Sequence, residues 1–295
     1  MKELADGVFA HEQPDGGWCV GNAGVLVRGG AAAVIDTAAT QRRAERLRDA
    51  VRAVSPVPPS VVVNTHHHGD HTFGNSVFAG AAVVAHERAR EEMAARGLAL
   101  TAVWPEVDWG ELTPALPSVT FTDRLTVHVD DLVVRLLHVG PAHTDNDVVA
   151  WLPEQRVLFA GDVVLSGCTP FCLMGSVRGS LGAIDALRAL DPVTVVCGHG
   201  PVCGPEVFDA TEAYLRWVLD LAAAGVAAGL SPLEVALEAD LGGFAGLLDP
   251  ERLVANLHRA YAEEAGLAPG AHLPSAPVFA EMVAFNGGKP LTCLA

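Results

Sequence analysis

Short apolar runs bounded by glycine or other turn residues recur through the N-terminal part of the chain. Runs of this kind predict short buried strands. A first group lies at 7–10, 24–27, 31–35, 61–63 and 81–85. A second group lies at 125–129, 132–139, 148–152, 157–159 and 193–197. A helical period between them predicts helices over 40–54, 86–96 and 181–190, so we expect helices layered over sheets.

The hydrophobic pattern changes beyond Glu206, where alanine-rich stretches take a helical period. These stretches predict helices over 207–228, 232–239 and 250–265. The stretch 98–118, with two tryptophans and three prolines, is expected to be irregular. We therefore expect a mixed core over residues 1–205 and a C-terminal helical extension over 206–295 that packs on this core.

Composition and charge argue against several classes of protein. Half of the 295 residues are hydrophobic and 18% are charged, which argues against intrinsic disorder. The net charge of −16 disfavours binding to nucleic acid or to an anionic membrane, since both need a basic face. The opening residues lack an export signal, and the six cysteines form no C-x-x-C pair. We therefore expect a cytoplasmic protein with free thiols.

The segment richest in candidate metal ligands follows the predicted strand at 61–63. Residues 65–71 read Thr-His-His-His-Gly-Asp-His and fit the spacing H-x-H-x-D-H. Imidazole and carboxylate groups suit zinc and related divalent metals, so His66, His68, Asp70 and His71 are candidate ligands. His67 alternates with two of them and is expected to face away, with a role in a pocket as the alternative.

Three further predicted strands each run into a small-residue turn that carries one potential ligand. His143 follows the strand at 132–139, Asp162 follows the strand at 157–159, and His199 follows the strand at 193–197. Glycine in such turns lets the backbone pass closely around an ion. We therefore expect these side chains to converge with the histidine-rich segment on one rim of a sandwich.

In this order and spacing, the motifs resemble those of the metallo-β-lactamase superfamily over roughly residues 7–205. The resemblance implies an α+β fold, a four-layer αββα sandwich with metals at one edge of the sheets. It also implies the roles of individual residues. Asp36 matches the family's aspartate that orients metal-bound histidines. The first metal is expected on His66, His68 and His143, the second on Asp70, His71 and His199, with Asp162 bridging the two.

A dinuclear site of this kind predicts hydrolysis. Two divalent ions about 3.5–4 Å apart share a water and lower its pKa toward ~7, which gives hydroxide at neutral pH. The catalytic groups would be this hydroxide, held by the two metals, and Asp70, which could pass the proton to the leaving group. We expect two zinc ions, with manganese or iron as alternatives because histidine and aspartate bind these metals too.

The residues also weigh against several branches of the superfamily. His68 stands where the flavodiiron type has glutamate, and Asp162 stands where true zinc β-lactamases often have cysteine. RNA-processing members are difficult to reconcile with the charge of −16. Two alternatives stay open: a lactonase or glyoxalase II-like hydrolase of small esters and thioesters, and a mononuclear iron dioxygenase.

Outer motifs narrow the resemblance further. The segments 3–10, 13–18, 167–171, 174–180 and 248–254 are similar to actinorhodin-type second-ring cyclases of aromatic type II polyketide pathways. This resemblance implies a function in antibiotic biosynthesis: aldol closure of the second ring and thioester hydrolysis that releases the product from its carrier protein. A dinuclear centre that stabilises an oxyanion can also stabilise an enolate, so the two reactions are compatible.

An aromatic polyketide thioester needs an apolar cleft with few polar anchors. The candidates for its wall are aromatic and aliphatic residues near the ligand loops: Trp18, Trp104, Trp109, Phe171, Leu173, Met174 and Phe285. An acidic acyl carrier protein would be repelled by the net charge of −16, so docking would need a local basic patch. The arginines that could form this patch are Arg42, Arg43, Arg46, Arg48, Arg88 and Arg90. The helical tail could also pair with a second copy of the chain.

Overall fold

A computed structural model describes residues 1–13 and 18–294, so residues 14–17 of the outer motif at 13–18 lie outside the described part. Two sheets form the centre of the molecule. The first sheet has seven strands in chain order: β1 (Lys2–Ala5), β2 (Val8–His11), β3 (Ala23–Arg28), β4 (Ala31–Ile35), β5 (Val61–Val63), β6 (Ala82–His86) and β7 (Val119–Phe121). Strands β1 to β4 pair antiparallel, and β4 to β7 pair parallel.

The second sheet has five strands in the order β12-β11-β10-β9-β8. Their bounds are β8 (Arg124–Val129), β9 (Leu132–His138), β10 (Val148–Leu152), β11 (Val157–Gly161) and β12 (Thr194–Cys197). Only the pair β11 and β12 is parallel within this sheet. A continuous cluster of buried residues, including Leu26 and Ile35 from the first sheet and Leu136 and Phe159 from the second, joins the two sheets face to face.

Helices cover the outer faces of both sheets. The α-helices of the described residues are α1 (Gln41–Val54), α2 (Gly69–Thr72), α3 (Glu87–Arg96), α4 (Val177–Ala189), α5 (Glu206–Ala228), α6 (Pro232–Glu238), α7 (Arg252–Glu264) and α8 (Ser275–Phe285). Leu47 and Val51 of α1 pack on the first sheet. Ile184 of α4 packs on the second sheet, in a cluster that continues through α5 to α8. The layers are therefore α, β, β and α, which confirms the expected αββα sandwich.

Several elements differ from the prediction. Strands β1 and β7 and helix α8 were not expected from the sequence. Helix α4 begins at Val177 rather than at residue 181, because the Ser176 side chain accepts a hydrogen bond from the Gly179 amide and caps the helix there. Among the described residues, no single helix combines the length and apolar character of a membrane span, although the bent pair α5 and α6 meets that test jointly.

Candidate metal centre

The loops that follow β5, β9, β11 and β12 bring the seven expected ligands together. Ligand atoms of four of them lie within 4.8 Å of one another, and those of the other three form a second such group. The first group is His66, His68, His143 and Asp162, and the second is Asp70, His71 and His199. The two groups coincide with the two metal positions expected from the sequence.

Asp162 lies between the two groups. Its Oδ2 atom is 3.4 Å from His143 Nε2 in the first group and 3.4 Å from His199 Nε2 in the second. Its Oδ1 atom is 3.3 Å from His71 Nε2. Because its carboxylate contacts ligands of both groups, Asp162 is the residue that could hold ions at both positions.

Burial and mutual charge set the protonation of the centre. Burial holds the pKa of His66 and of His68 well below the usual range. Both rings are therefore neutral, and each has a nitrogen lone pair that can bind a metal. Burial alone would raise the pKa of Asp70, but the neighbouring His71 and His199 hold it well below its usual range. Burial alone would lower the pKa of His199, but the carboxylate of Asp162 outweighs this effect and raises the pKa to about 9.

The donor atoms fit divalent cations. His66 Nε2, His71 Nε2 and Asp162 Oδ1 are buried atoms without a hydrogen-bond partner among the described residues. Buried polar atoms normally have partners, so a convergent set of orphaned nitrogen and oxygen atoms is an arrangement that a metal satisfies. The carboxylates of Asp70 and Asp162 stabilise the protonated forms of His71 and His199, and metal binding would displace these protons.

Asp36 holds the second group in position. It ends β4 with a positive φ of 60°, a conformation that aspartate and asparagine tolerate better than most residues. Its Oδ1 accepts from the Thr65 amide at 2.8 Å, and its Oδ2 accepts from the Thr65 hydroxyl at 2.7 Å. The same Oδ2 lies 3.0 Å from His71 Nδ1, which leaves Nε2 of that ring directed at Asp70 and Asp162. This geometry is that of an orienting carboxylate.

Two further positioning residues were not expected from the sequence. Asn22 ties the loop of His199 to the first sheet: its Nδ2 donates to the carbonyls of Cys197 at 3.0 Å and Gly200 at 2.7 Å. Asp147 holds the loop of His143, because it accepts from the Thr144 hydroxyl and from backbone amides of that loop. The spacing Thr144-x-x-Asp147 was the available local signal for this second loop.

The centre opens into a cleft with two chambers. The metal-side chamber, about 130 Å³, is lined by five of the seven ligands and by Arg252 and Met282 of the helical tail. The apolar chamber, about 190 Å³, is lined mostly by hydrophobic residues of α3, the irregular stretch 98–118 and α8. Four residues border both chambers, so the two chambers adjoin: His68, Leu100, Met174 and Phe279.

The expected pocket residues divide into two sets. Trp104, Phe171 and Met174 line the metal-side chamber. Leu173 differs from the expectation, because its side chain is fully buried in the cluster outside the second sheet and its carbonyl accepts from Arg259.

Three aromatic residues also differ from the expected pocket: Trp18, Trp109 and Phe285. The rings of Trp18 and Trp109 pack edge to face at 5.0 Å, and neither residue is among those lining the two chambers. Phe285 packs against the cluster of the helical tail. The two rings therefore contact each other rather than the space of the two chambers.

The arginines expected to form a basic patch are only partly available. Arg42 and Arg46 are exposed on α1. Arg43 is half-buried instead of external, because its guanidinium donates to the carbonyls of Trp18 and Cys19 and lies over the Trp18 ring. Arg48 pairs with Asp49 next to it. Arg88 and Arg90 on α3 are exposed, and each donates to a backbone carbonyl.

Comparisons with known proteins agree with this fold and site. The model of the metallo-beta-lactamase superfamily matches residues 16–199. A linear primary-alkylsulfatase from a Pseudomonas strain is 24% identical over 248 residues, covering 68% of this chain and 46% of that protein. A hydroxyacylglutathione hydrolase from Methylococcus capsulatus is 30% identical over 143 residues, or 47% of each chain. This chain thus spans about half the length of these relatives.

A solved structure shows the same fold. The metallo-beta-lactamase family protein of Thermus thermophilus superposes with a TM-score of 0.68 at 21% identity, covering 91% of this chain and 98% of the other. Because the superfamily model covers more than half of the sequence and includes all seven candidate ligands, the chain belongs to the metallo-beta-lactamase superfamily.

Proposed function

We propose that this protein is a dinuclear-metal thioesterase and cyclase. It would close the second ring of a carrier-bound aromatic polyketide by aldol condensation and release the product by thioester hydrolysis in antibiotic biosynthesis. The observation that carries the proposal is the pair of adjoining chambers, one lined by the histidines and aspartates of the centre and the other mostly by apolar residues. Such a cleft suits a bulky apolar acyl group whose reactive carbonyl reaches the centre.

The side chains of the centre would have separate roles in binding the metals, orienting the ligands and transferring protons. Two divalent cations, zinc in our proposal, would supply a water of lowered pKa and polarise the substrate carbonyl when bound. Asp162 would hold both ions, and Asp36 keeps His71 in the tautomer that binds. Asp70 lines the metal-side chamber, with Oδ2 3.2 Å from His199 Nε2, so its carboxylate is placed to relay a proton to the leaving group.

Apolar side chains form part of the wall of the metal-side chamber. Phe171 and Met174 border the ligands His68 and His143, and Trp104 closes another side through a hydrogen bond from its indole to the Leu291 carbonyl at 2.9 Å. An apolar wall strengthens every electrostatic interaction inside the cleft. An aromatic acyl group would pack on these three side chains.

For docking of an acidic carrier protein we propose the exposed arginines Arg42 and Arg46 of α1. The six unbridged cysteines of the described residues suit the reducing cytoplasm in which we place the reaction. Replacement of both arginines by glutamine should slow turnover of a carrier-bound substrate and leave turnover of the same acyl group on a small thiol unchanged. Equal rates on the carrier-bound substrate would remove this docking face from the proposal.

The function is tested with three substrates that separate the alternatives. An aromatic acyl thioester of N-acetylcysteamine, a lactoyl glutathione thioester and an acyl-homoserine lactone should be compared by kcat/KM, together with metal content per chain. We expect two zinc ions and the highest kcat/KM on the aromatic thioester. The His199→Ala variant should lose about 100-fold or more, and the exposed His272→Ala variant should match wild type.

Each alternative predicts a different result. Preference for the glutathione thioester would favour a glyoxalase II-like hydrolase, the activity named for the Methylococcus capsulatus relative. Preference for the lactone would favour a lactonase. One iron per chain together with oxygen consumption would favour the mononuclear dioxygenase. Full activity of a folded His199→Ala protein would contradict any reaction at this centre.

A further inference from the structure

His67 stands between two candidate ligands but belongs to neither ligand group. Its side chain is nearly inaccessible, with 6% of its surface exposed, and its ring borders the apolar chamber. It also borders a small polar recess beside Glu92 and Arg96 of α3. The residue therefore lies at the substrate side of the centre without being placed to bind a metal.

The hydrogen bonds of Asn146 fix the tautomer of the His67 ring. The His67 backbone amide donates to Asn146 Oδ1 at 3.1 Å, and a backbone N–H can only donate. The other end of the Asn146 amide, Nδ2, is therefore the one that lies 3.0 Å from His67 Nδ1. His67 Nδ1 lies 3.0 Å from this donor and 3.4 Å from Asn146 Oδ1, so the shorter contact favours Nδ1 as the acceptor and places the proton of the ring on Nε2.

This Nε2–H is a donor without an acceptor. It is buried, and it has no hydrogen-bond partner within residues 1–13 and 18–294. A buried polar group left in this state is costly and calls for a physical explanation. Since Asn146 covers the Nδ1 edge, the edge that carries Nε2 is the one left to face the two recesses that His67 borders.

The surroundings define which acceptor would suit this donor. Most residues lining the apolar chamber are hydrophobic, and Arg96, the charged one, is paired with Glu92 on the same helix. A substrate carboxylate would therefore find no free positive charge in this chamber. A neutral oxygen on an apolar acyl group could instead accept the hydrogen bond from His67 Nε2. Met174 borders both recesses that His67 borders, and its unbranched side chain can yield to admit such an oxygen.

We propose that His67 is a specificity-determining residue that donates from Nε2 to a ketone or hydroxyl oxygen of an acyl group seated in the apolar chamber. The proposal rests on the proposed function and refines its substrate class. It selects acyl thioesters with an oxygen along the acyl chain over plain hydrocarbon acyl thioesters of the same length.

The test compares a keto-acyl thioester with the saturated acyl thioester of equal length, both on N-acetylcysteamine. In wild type we expect kcat/KM to favour the keto substrate by about 10-fold, mainly through KM. The His67→Phe variant, which keeps the ring shape but has no donor, should lose this preference. The His67→Gln variant should retain most of it, because the glutamine Nε2 can donate from the same position while its Oε1 accepts from Asn146. The exposed His128→Phe variant on β8 is the matched control and should keep the wild-type ratio.

Two readouts do not depend on turnover. Calorimetry should show that the keto acid binds wild type about 10-fold more tightly than the saturated acid, and that His67→Phe removes this difference. In NMR spectra of protein with ¹⁵N-labelled histidine, the ring signals that are absent from His67→Phe are those of His67. In wild type, these signals should show the proton on Nε2. An Nδ1-protonated ring, or an equal preference in wild type and His67→Phe, would overturn the proposal. If wild type hydrolyses neither thioester, the proposed function fails, and the binding experiment alone decides the role of His67.

Discussion

The Asp36→Asn variant tests how the second ligand group is oriented. Asparagine has the same shape and tolerates the positive φ of 60°, so the backbone should not move. With Oδ1 still accepting from the Thr65 amide, the new NH₂ group replaces the oxygen that faces His71 Nδ1 at 3.0 Å. Two donors cannot face each other, so His71 would move its proton to Nε2. That nitrogen is the one directed at Asp70 and Asp162, and a protonated Nε2 cannot bind a metal.

The expected loss falls on one metal position. Loss of an orienting partner typically lowers metal affinity 10–100-fold, which corresponds to about 1.4–2.8 kcal/mol. Competition titration with a chromophoric chelator should show this loss at one position only and a change of less than about 3-fold at the other. Asp131→Asn, which changes an exposed carboxylate paired with Arg28, is the control and should not affect metal affinity. Equal weakening of both positions, or no weakening in a folded variant, would refute the reasoning.

Three further variants test the packing around the centre. Arg259→Met removes a fully buried guanidinium that donates to two loop carbonyls, and urea unfolding should show a loss of about 3 kcal/mol; an unchanged midpoint would contradict this. Burial raises the pKa of Asp147 to about 7 from 3.8, so the folded protein keeps a proton that the unfolded chain releases between these values. The free energy of unfolding should therefore fall as pH rises through this window, by at most about 4 kcal/mol, and a slope equally steep in Asp147→Asn would exclude the assignment. A Cβ at Gly24 would lie 2.6 Å from an aromatic carbon of β11, so Gly24→Ala should cost about 1–3 kcal/mol by calorimetry, whereas Gly182→Ala, with open space around it, should not destabilise.

The ligand loops were predictable because each ligand directly follows an apolar strand. The runs at 31–35 and 61–63 match β4 and β5 at both ends, and the runs at 132–139, 157–159 and 193–197 match β9, β11 and β12 to within two residues. A strand that is buried along its length has to stop where polar residues begin, so strand end and ligand are specified by the same few residues. Convergence then follows from sheet packing, and no long-range information beyond the order of the strands was needed.

The substrate side of the cleft was less predictable, because it depends on contacts between distant segments. Helix α8 was missed since its apolar residues serve two surroundings: Val278 packs in the tail cluster, while Phe279 borders both chambers. A helix whose apolar residues lie on two faces lacks the single apolar face by which an amphipathic helix is recognised in a sequence. The sequence wrongly suggested Trp18 and Trp109 as pocket residues. Composition alone does not tell whether aromatic rings contact a ligand or each other.

The net charge of −16 does not determine the electrostatic potential within the cleft. The metal-side chamber is lined by four carboxyl groups, of Asp70, Asp162, Asp249 and Glu251, and by the guanidinium of Arg252. With the ligand histidines neutral in the metal-loaded protein, these side chains contribute about −3 and two divalent cations would bring the local charge to about +1. In the metal-free protein the protonated His199 leaves the local charge at about −2. A carboxylate product should therefore bind the metal-loaded protein with an affinity that falls as salt is added, and it should bind the chelator-treated protein far more weakly. Equal affinity in both states would mean that the acyl group alone holds the product, because charge attraction inside the cleft requires the cations.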